Sequence, residues 1–352
     1  MQRYRWALVA VLAFVAIVVV YALASGSSAG LKTGPSAIAS EKDRQPAPEL
    51  TGLAGWVNSP PLSIHGLRGK VVLVDFWTFS CVNCIRTIPH TQALVDRYGQ
   101  DGLVVIGVHS PEFDFEKVPA NVQAAVARDK VTWPVALDSD MRTWNAFSNR
   151  YWPAQYLIDR SGNIAYTHFG EGDDAATDHA VSTLVGVAHG TPAASTEIPG
   201  SQTPELYAGS ARGTLADGAQ YGPSGQPTSY PDASGAPRDR NAIFVSGEWI
   251  DGGEYLEAAS AGHVRVRYRA HDVYVVAGTA GSPVSAAVHL DGRPVSADMS
   301  GAALESSGVA SAGSVIVNRT DLFHMVTNSG TDEHVIDIAV PKGFRLYTFT
   351  FG

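Results

Sequence analysis

The chain has 352 residues, 45% of them hydrophobic, and carries a net charge of −9. That charge argues against nucleic-acid partners and supplies no basic patch for a membrane surface. Its length and apolar content allow more than one core, and its only two cysteines, Cys81 and Cys84, leave no framework of structural disulfides.

In chain order, Arg3 and Arg5 precede Trp6–Ala24, nineteen uncharged residues rich in Val, Ala and Leu. At 1.5 Å per residue this run spans about 29 Å, roughly a bilayer's hydrocarbon core. Arginines before it and none directly after favour an N-terminus inside. Residues 1–24 are therefore predicted to be a single transmembrane helix, a signal anchor holding the rest of the chain on the extracytoplasmic side of the cell membrane. The competing reading is a cleaved signal peptide and a secreted protein, since Ala22-Leu23-Ala24 before Ser25 resembles a small-x-small cleavage site. The apolar run is longer than such peptides usually carry, and no cysteine follows it for lipid attachment. Residues 25–48, rich in Ser, Ala, Gly and Pro, read as a flexible tether.

From Glu49 to Ala188, strands and helices alternate. Val71–Trp77 is nearly continuous in Val, Leu and Phe and reads as a strand buried on both faces. Then come a helix at Cys84–Tyr98, a strand at Leu103–Val108, a helix at Asn121–Arg128 and a short strand at Val135–Leu137. A helix at Met141–Asn149 follows, then strands at Ala154–Ile158 and Ile164–Phe169 joined by a turn, and a closing helix at Asp173–Ala188. That order predicts an α/β domain over 49–188 with a central mixed sheet flanked by helices.

Cys81-Val82-Asn83-Cys84 stands between the first buried strand and its helix. Two cysteines that close together form either a reversible disulfide or half of a metal site. At the start of a helix Cys81 faces unpaired N–H groups and the positive end of the macrodipole, which stabilise a thiolate. A thiolate attacks disulfides, and a resolving thiol one turn further on, Cys84, releases the mixed disulfide. Zinc asks for four ligands, but no second cysteine pair exists and the eleven histidines are scattered. Copper transfer through both thiols and one histidine stays open; His90 lies on the helix after Pro89, and His109 ends the next strand. A purely structural disulfide would close too short a loop to constrain the unfolded chain much.

Residues 189–203 read as a linker, and 204–352 as a β-rich domain. Within it, 209–240 is a Gly/Pro/Ser/Ala stretch expected to be loop-rich or disordered. Short strands follow at Ala242–Val245, His263–Arg269, Val273–Ala277, Ala286–Leu290, Ser314–Val317, His334–Val340 and Phe344–Phe351, which predicts an antiparallel β-sandwich. Val264, Val266 and Tyr268 should face inward and Arg265, Arg267 and Arg269 outward. Trp249, Tyr255, Tyr268 and Tyr274 are read as core aromatics in preference to a sugar-stacking platform. No acidic pair or Ser/His constellation stands out here, so this domain is expected to bind a carbohydrate or a protein rather than to catalyse.

Residues 49–188 closely resemble the thioredoxin superfamily, in particular its membrane-tethered, extracytoplasmic TlpA/ResA-type branch of redoxins. The resemblance rests on Val74-Asp75-Phe76-Trp77 ahead of Cys81, on Pro89 five residues after Cys84, on Trp152-Pro153 before a strand, and on the extra helix at Asn121–Arg128 ahead of Trp133-Pro134-Val135. The wording WTFSCVNCIRTIPH and the ending YTFTFG further resemble the C-terminal half of DipZ-type proteins, where a carbohydrate-module-like sandwich follows a thioredoxin-like domain. The polytopic electron-transfer part of those proteins has no counterpart here, so the resemblance implies a separate membrane electron donor.

It also implies residue roles. Cys81 would be the nucleophile and Cys84 the resolving thiol. Asp75 would be the buried carboxylate beneath them that takes a proton. Trp152 and a cis Pro153 would offer a backbone edge to substrate and keep metals off the thiols, and Glu112 would be an acidic group near the disulfide. Trp77 reads as packing beside the site. The implied activity is thiol–disulfide exchange on exported proteins, with the Cys81–Cys84 disulfide itself as the redox group, no other cofactor and no metal. Ser80 replaces the tryptophan usual before the first cysteine, which should open the groove. Val82-Asn83 replaces Gly-Pro and leaves the redox direction open; the branch implies a reductant. Two alternatives remain. Thr78, three residues before Cys81, meets part of the pattern of a thiol peroxidase, an antioxidant redoxin, though the proline ahead of it is absent. A non-catalytic copper carrier would use the same two thiols.

Overall fold

The computed structural model describes residues 37–188, 190, 202–232, 237, 239–296, 299–301 and 313–352. The expected membrane span at 1–24, the first part of the tether and most of the linker lie outside the described residues. Among the described residues no helix is long and apolar enough to cross a membrane.

The first half forms a mixed sheet of seven strands among the described residues. These are β1 (Gln45–Pro46), β2 (Gly55–Val57), β3 (Val71–Trp77), β4 (Leu103–His109), β5 (Val135–Leu137), β6 (Ala154–Ile158) and β7 (Asn163–Phe169), ordered β1-β7-β6-β3-β4-β5-β2. Strand β3 runs parallel to β4 and antiparallel to β6, with Asp75 opposite both Gly107 and Gln155. Helices α1 (Val82–Tyr98), α2 (Pro119–Arg128), α3 (Arg142–Ala146) and α4 (Asp174–Val185) cover it.

Alternation along β3 divides the core in two. Val71, Leu73 and Trp77 pack with Leu94 and Tyr98 of α1 and Val181 of α4. Val72, Val74 and Phe76 pack on the other face with Trp144 of α3 and with Phe147. Helix α1 begins two residues before the expected start, at Val82. Helix α3 is shorter than expected because Met141 and Ser148 take left-handed φ values of 58° and 53° on either side of it. Helix α4 stops at Val185, where Gly186 adopts φ 86° and closes the helix short of Ala188.

The second half is all-β and antiparallel. Its strands are β8 (Leu206–Tyr207), β9 (Pro227–Tyr230), β10 (Ile243–Asp251), β11 (Leu256–Ala258), β12 (Gly262–Arg269) and β13 (Asp272–Thr279). They continue with β14 (Val284–Leu290), β15 (Arg293–Pro294), β16 (Ser314–Val317), β17 (Asp321–Thr327), β18 (Glu333–Val340) and β19 (Phe344–Phe351). The two layers expected of a sandwich are joined into one curled sheet, because β10 serves both. Its residues 243–246 pair with β12, and residues 247–251 pair with β9 and β11. The changeover falls at Gly247, with φ 95°, where an added Cβ would lie 2.8 Å from the Ala261 carbonyl oxygen. Both layers close on one core.

Val264, Val266 and Tyr268 point into that core, and Arg265 points out, bonding Asp337 at 3.0 Å and Asp232 at 2.7 Å. Trp249 and Tyr268 are fully buried, whereas Tyr255 and Tyr274 lie elsewhere, so these four aromatics form no common platform. The 209–240 stretch, expected as loop, contributes β9 and buries Leu215 and Tyr230. Its Gly and Pro content hides a four-residue strand that completes β10's pairing.

The two sheets touch through the segment that follows β4 and through α2. Phe113 and Phe115 meet Tyr347 with ring centres 5.4 and 5.1 Å apart. Arg128 of α2 bonds both oxygens of Asp321 at 2.6 Å and reaches the Phe79 carbonyl.

Trp249→Ala is expected to destabilise the chain by about 3–5 kcal/mol, because it empties a fully enclosed site and frees the Ser246 carbonyl that the indole N–H bonds at 2.8 Å. Urea-unfolding midpoints would measure it.

Candidate active site

Strand β3 ends at Trp77, and the chain turns through Thr78–Ser80 before α1 begins. Cys81 is the N-cap residue of α1, with extended backbone at φ −84° and ψ 112°, and its sulfur accepts the Cys84 N–H at 3.4 Å. The sulfur thus takes the place of the usual capping oxygen, with the helix's free N–H groups aimed at it. Cys81 is half-buried and Cys84 buried, both as free thiols. Burial first, then the hydrogen bond and charge of Cys81 and the charge of Asp75, push the Cys84 thiol well above its ordinary value. The pair is therefore asymmetric: one accessible sulfur at a helix end, and one enclosed thiol that holds its proton.

Asp75 lies on the face of β3 that packs under α1 and is 5% exposed. Its Oδ2 accepts a long bond from Thr91 at 3.4 Å, and its Oδ1 has no hydrogen-bond partner. Burial pushes this carboxyl up to about 7, against the opposing effects of Thr91 and of His90. The ring nitrogens of His90 are engaged by α4, 3.4 Å from Asp174 and 3.3 Å from Asp178. His109 is buried between Trp77 and Phe79, and burial pushes it down to about 3. Among the described residues no three His, Cys, Asp or Glu side chains gather in a way that could hold a metal.

The Trp152–Pro153 peptide is cis. Ala154 pairs with Phe76, so Pro153 stands where β3 runs out toward Cys81. Trp152 packs in the same apolar layer as both cysteines, lies against Trp144 with ring centres 4.1 Å apart and planes tilted by 33°, and donates its indole N–H to the Ser110 carbonyl at 3.0 Å. The fold thus brings together Cys81, Cys84, Asp75, Trp152 and Pro153.

Two comparisons of sequence show what the chain is similar to. Residues 42–185 match the family model described as Redoxin, and residues 203–352 match one described as Thioredoxin like C-terminal domain. The thiol-disulfide oxidoreductase YkuV of Bacillus subtilis is 36% identical over 129 residues, which are 37% of this chain and 86% of that protein. The chain belongs to the redoxin family of the thioredoxin superfamily. Protein DipZ of Mycobacterium bovis is 35% identical over 322 residues, or 87% of this chain, and the same holds for DipZ of Mycobacterium tuberculosis. The match covers 43% of DipZ, so the chain spans less than half the length of these relatives. A thioredoxin-like protein solved in its oxidised form is 33% identical, covering 41% of this chain and 96% of that one, with a TM-score of 0.38.

Glu112 is not placed at the disulfide. Its carboxyl turns to the C-terminal sheet, accepting Arg212 Nη1 and the Tyr207 hydroxyl, each at 2.8 Å. Glu116, not anticipated from the sequence, holds that position. It is 1% exposed, accepts the hydroxyl of Ser80 next to Cys81, and also accepts the N–H groups of Glu112 at 2.6 Å and Phe113 at 3.0 Å. Burial pushes its carboxyl up to about 7, with the Ser80 bond opposing and the Glu112 charge adding. The signal for it was a glutamate at the third position of a short helix, able to reach back to the preceding N–H groups.

Asp75 has a pH signature in stability. Unfolded, it ionises near its ordinary value of 3.8; folded, near 7. Between those values the unfolded chain releases a proton that the folded chain keeps, so stability falls as pH rises through that window. Asp75→Asn should match wild type at about pH 4 and gain progressively, reaching roughly 2–4 kcal/mol above about pH 7 in denaturant titrations.

Proposed function

We propose that this chain is a membrane-anchored, extracytoplasmic thiol–disulfide oxidoreductase that reduces disulfides in exported proteins. What carries the reading is the asymmetry of the pair: Cys81 caps α1 with its sulfur, while Cys84 is buried above a carboxyl with one unpartnered oxygen. The thiol-disulfide oxidoreductases YkuV and ResA among its relatives support the same reaction.

In the forward step the Cys81 thiolate attacks one sulfur of a client disulfide. A mixed disulfide forms and the client's other sulfur leaves as a thiolate. The client backbone lies along the Trp152–Pro153 edge beside Cys81. Asp75 Oδ1 then takes the proton of Cys84, whose burial otherwise keeps the thiol neutral. The Cys84 thiolate attacks Cys81 Sγ and expels the second client thiolate. The client gains two electrons, and the chain is left with a Cys81–Cys84 disulfide and a protonated Asp75. A separate membrane donor of two electrons resets the pair. The uncharged Trp6–Ala24 run supports anchoring, with the described residues outside the cytoplasm.

In defined dithiol/disulfide buffers the chain should form a reversible Cys81–Cys84 disulfide, and failure to form one would falsify the proposal. Cys84→Ser should accumulate client mixed disulfides visible on non-reducing gels, and Cys81→Ser should form none; equal trapping by both variants would reverse or cancel the assigned roles. On fractionation the full chain should stay with membranes until detergent is added. Release of a chain beginning near Ser25 would instead mark a cleaved leader.

A further inference from the structure

Around Glu116 carboxylates outnumber cations, and the arginine that faces them comes from the other sheet. The Glu112 side chain is 7% exposed and bonds Arg212 and Tyr207. The Tyr207 hydroxyl also stands 3.0 Å from Glu205, whose other oxygen accepts Thr348 at 3.3 Å. One hydroxyl proton cannot serve Glu112 and Glu205 at once, so Arg212 is the donor Glu112 relies on. The guanidinium is held in place, 3.8 Å from the ring centre of Tyr207 and 4.9 Å from that of Phe113. Arg212, Tyr207 and Glu205 come from the C-terminal half; Glu112, Phe113 and Glu116 come from the redoxin half, and Glu116 bonds the residue before Cys81.

The remaining charged groups nearby, Glu205 apart, look elsewhere. Asp114 pairs with Lys117 at 2.6 Å and gives its backbone N–H to Glu254. His109, 3.4 Å from Thr78, is kept uncharged by burial. Glu205 is pushed up by burial and then by the charge of Glu112.

We infer that Arg212 is a positioning residue for the thiol–disulfide site. Acting through Glu112 on Glu116, it sets the charge beside Ser80 and with it the pH dependence of the Cys81–Cys84 couple. The inference rests on the oxidoreductase reading above. Arg212 offsets the field that Glu112 projects onto Glu116; without it a second carboxylate so close is disfavoured. An ionised Glu116 next to Ser80 disfavours the Cys81 thiolate, whereas the disulfide carries no charge to repel. The charge of Glu116 therefore weighs differently on the two redox states, and the midpoint potential bends at the pH where Glu116 ionises.

The test is the midpoint potential of the full chain from about pH 5 to about pH 9 against dithiol/disulfide buffers. It is run in an Asp75→Asn, Glu205→Gln background, which silences the two other carboxyls pushed up to about 7. The bend should fall near pH 7 and vanish with Glu116→Gln. Arg212→Gln should move it up, and Glu112→Gln down, by about half a pH unit or more. Arg212→Lys should return it most of the way. Loosening of the contact between sheets would move both neutralising variants the same way, so shifts of one sign, or no shift in either, overturn the inference. A chain with no reversible potential refutes the oxidoreductase reading instead.

Discussion

Strand β3 lies between β4 and β6 with all seven residues buried, and the site takes its geometry from that confinement. Neighbours on both sides set its register, with Asp75 opposite Gly107 and Gln155. A slip of one residue would exchange the two faces of the strand. Val74 or Phe76 would then lie beneath the thiols, and the carboxyl would enter the layer that holds Trp144 and Phe147. Where β3 stops, the chain has only the Thr78–Ser80 turn before α1, so the helix N-terminus and the first cysteine arrive together. The pairing of a central strand thus decides both which group sits under Cys84 and which sulfur caps the helix.

Two buried carboxyls, Asp75 and Glu116, reach the same range near neutrality by different balances. Glu116 is supported by the Ser80 hydroxyl and two backbone N–H groups, and its burial is offset by those donors as much as polar burial allows. Asp75 has one long bond and a bare oxygen. In the proposed reaction, a proton from Cys84 would find room on Asp75 without displacing a donor. On Glu116 it would compete with a network that also fixes the turn ahead of Cys81. Equal affinity for a proton therefore does not mean equal availability.

The β3 strand, α1 and the closing hairpin were legible because their apolar periods are long and uninterrupted. The cysteine pair was legible from its place between a buried strand and a helix, and Trp152-Pro153 only through the resemblance to the thioredoxin superfamily. Other features depend on contacts that no local pattern carries. Glu112 and Glu116 are four residues apart on one short segment, and only the arrival of Arg212 from a hundred residues away decides which faces the thiols. Strand β17 escaped notice because Asp321, His324 and Thr327 interrupt its apolar positions, and β9 because Pro and Ser dominate its composition. The joining of the two β layers turns on Gly247, one glycine among thirty-five until its φ is known.

The aromatic contact between the sheets bears on modularity. Phe113 and Phe115 find their ring partners in Tyr207 and Tyr347, across a boundary that the family models treat as a seam between two units. A redoxin half without the C-terminal sheet would present those rings, and a Glu112 stripped of Arg212 and Tyr207, to water. In this chain the two halves are thus packed as one unit, and a shuffled partner would have to bring its own arginine and its own ring faces to the loop that carries Glu112, Phe113 and Phe115.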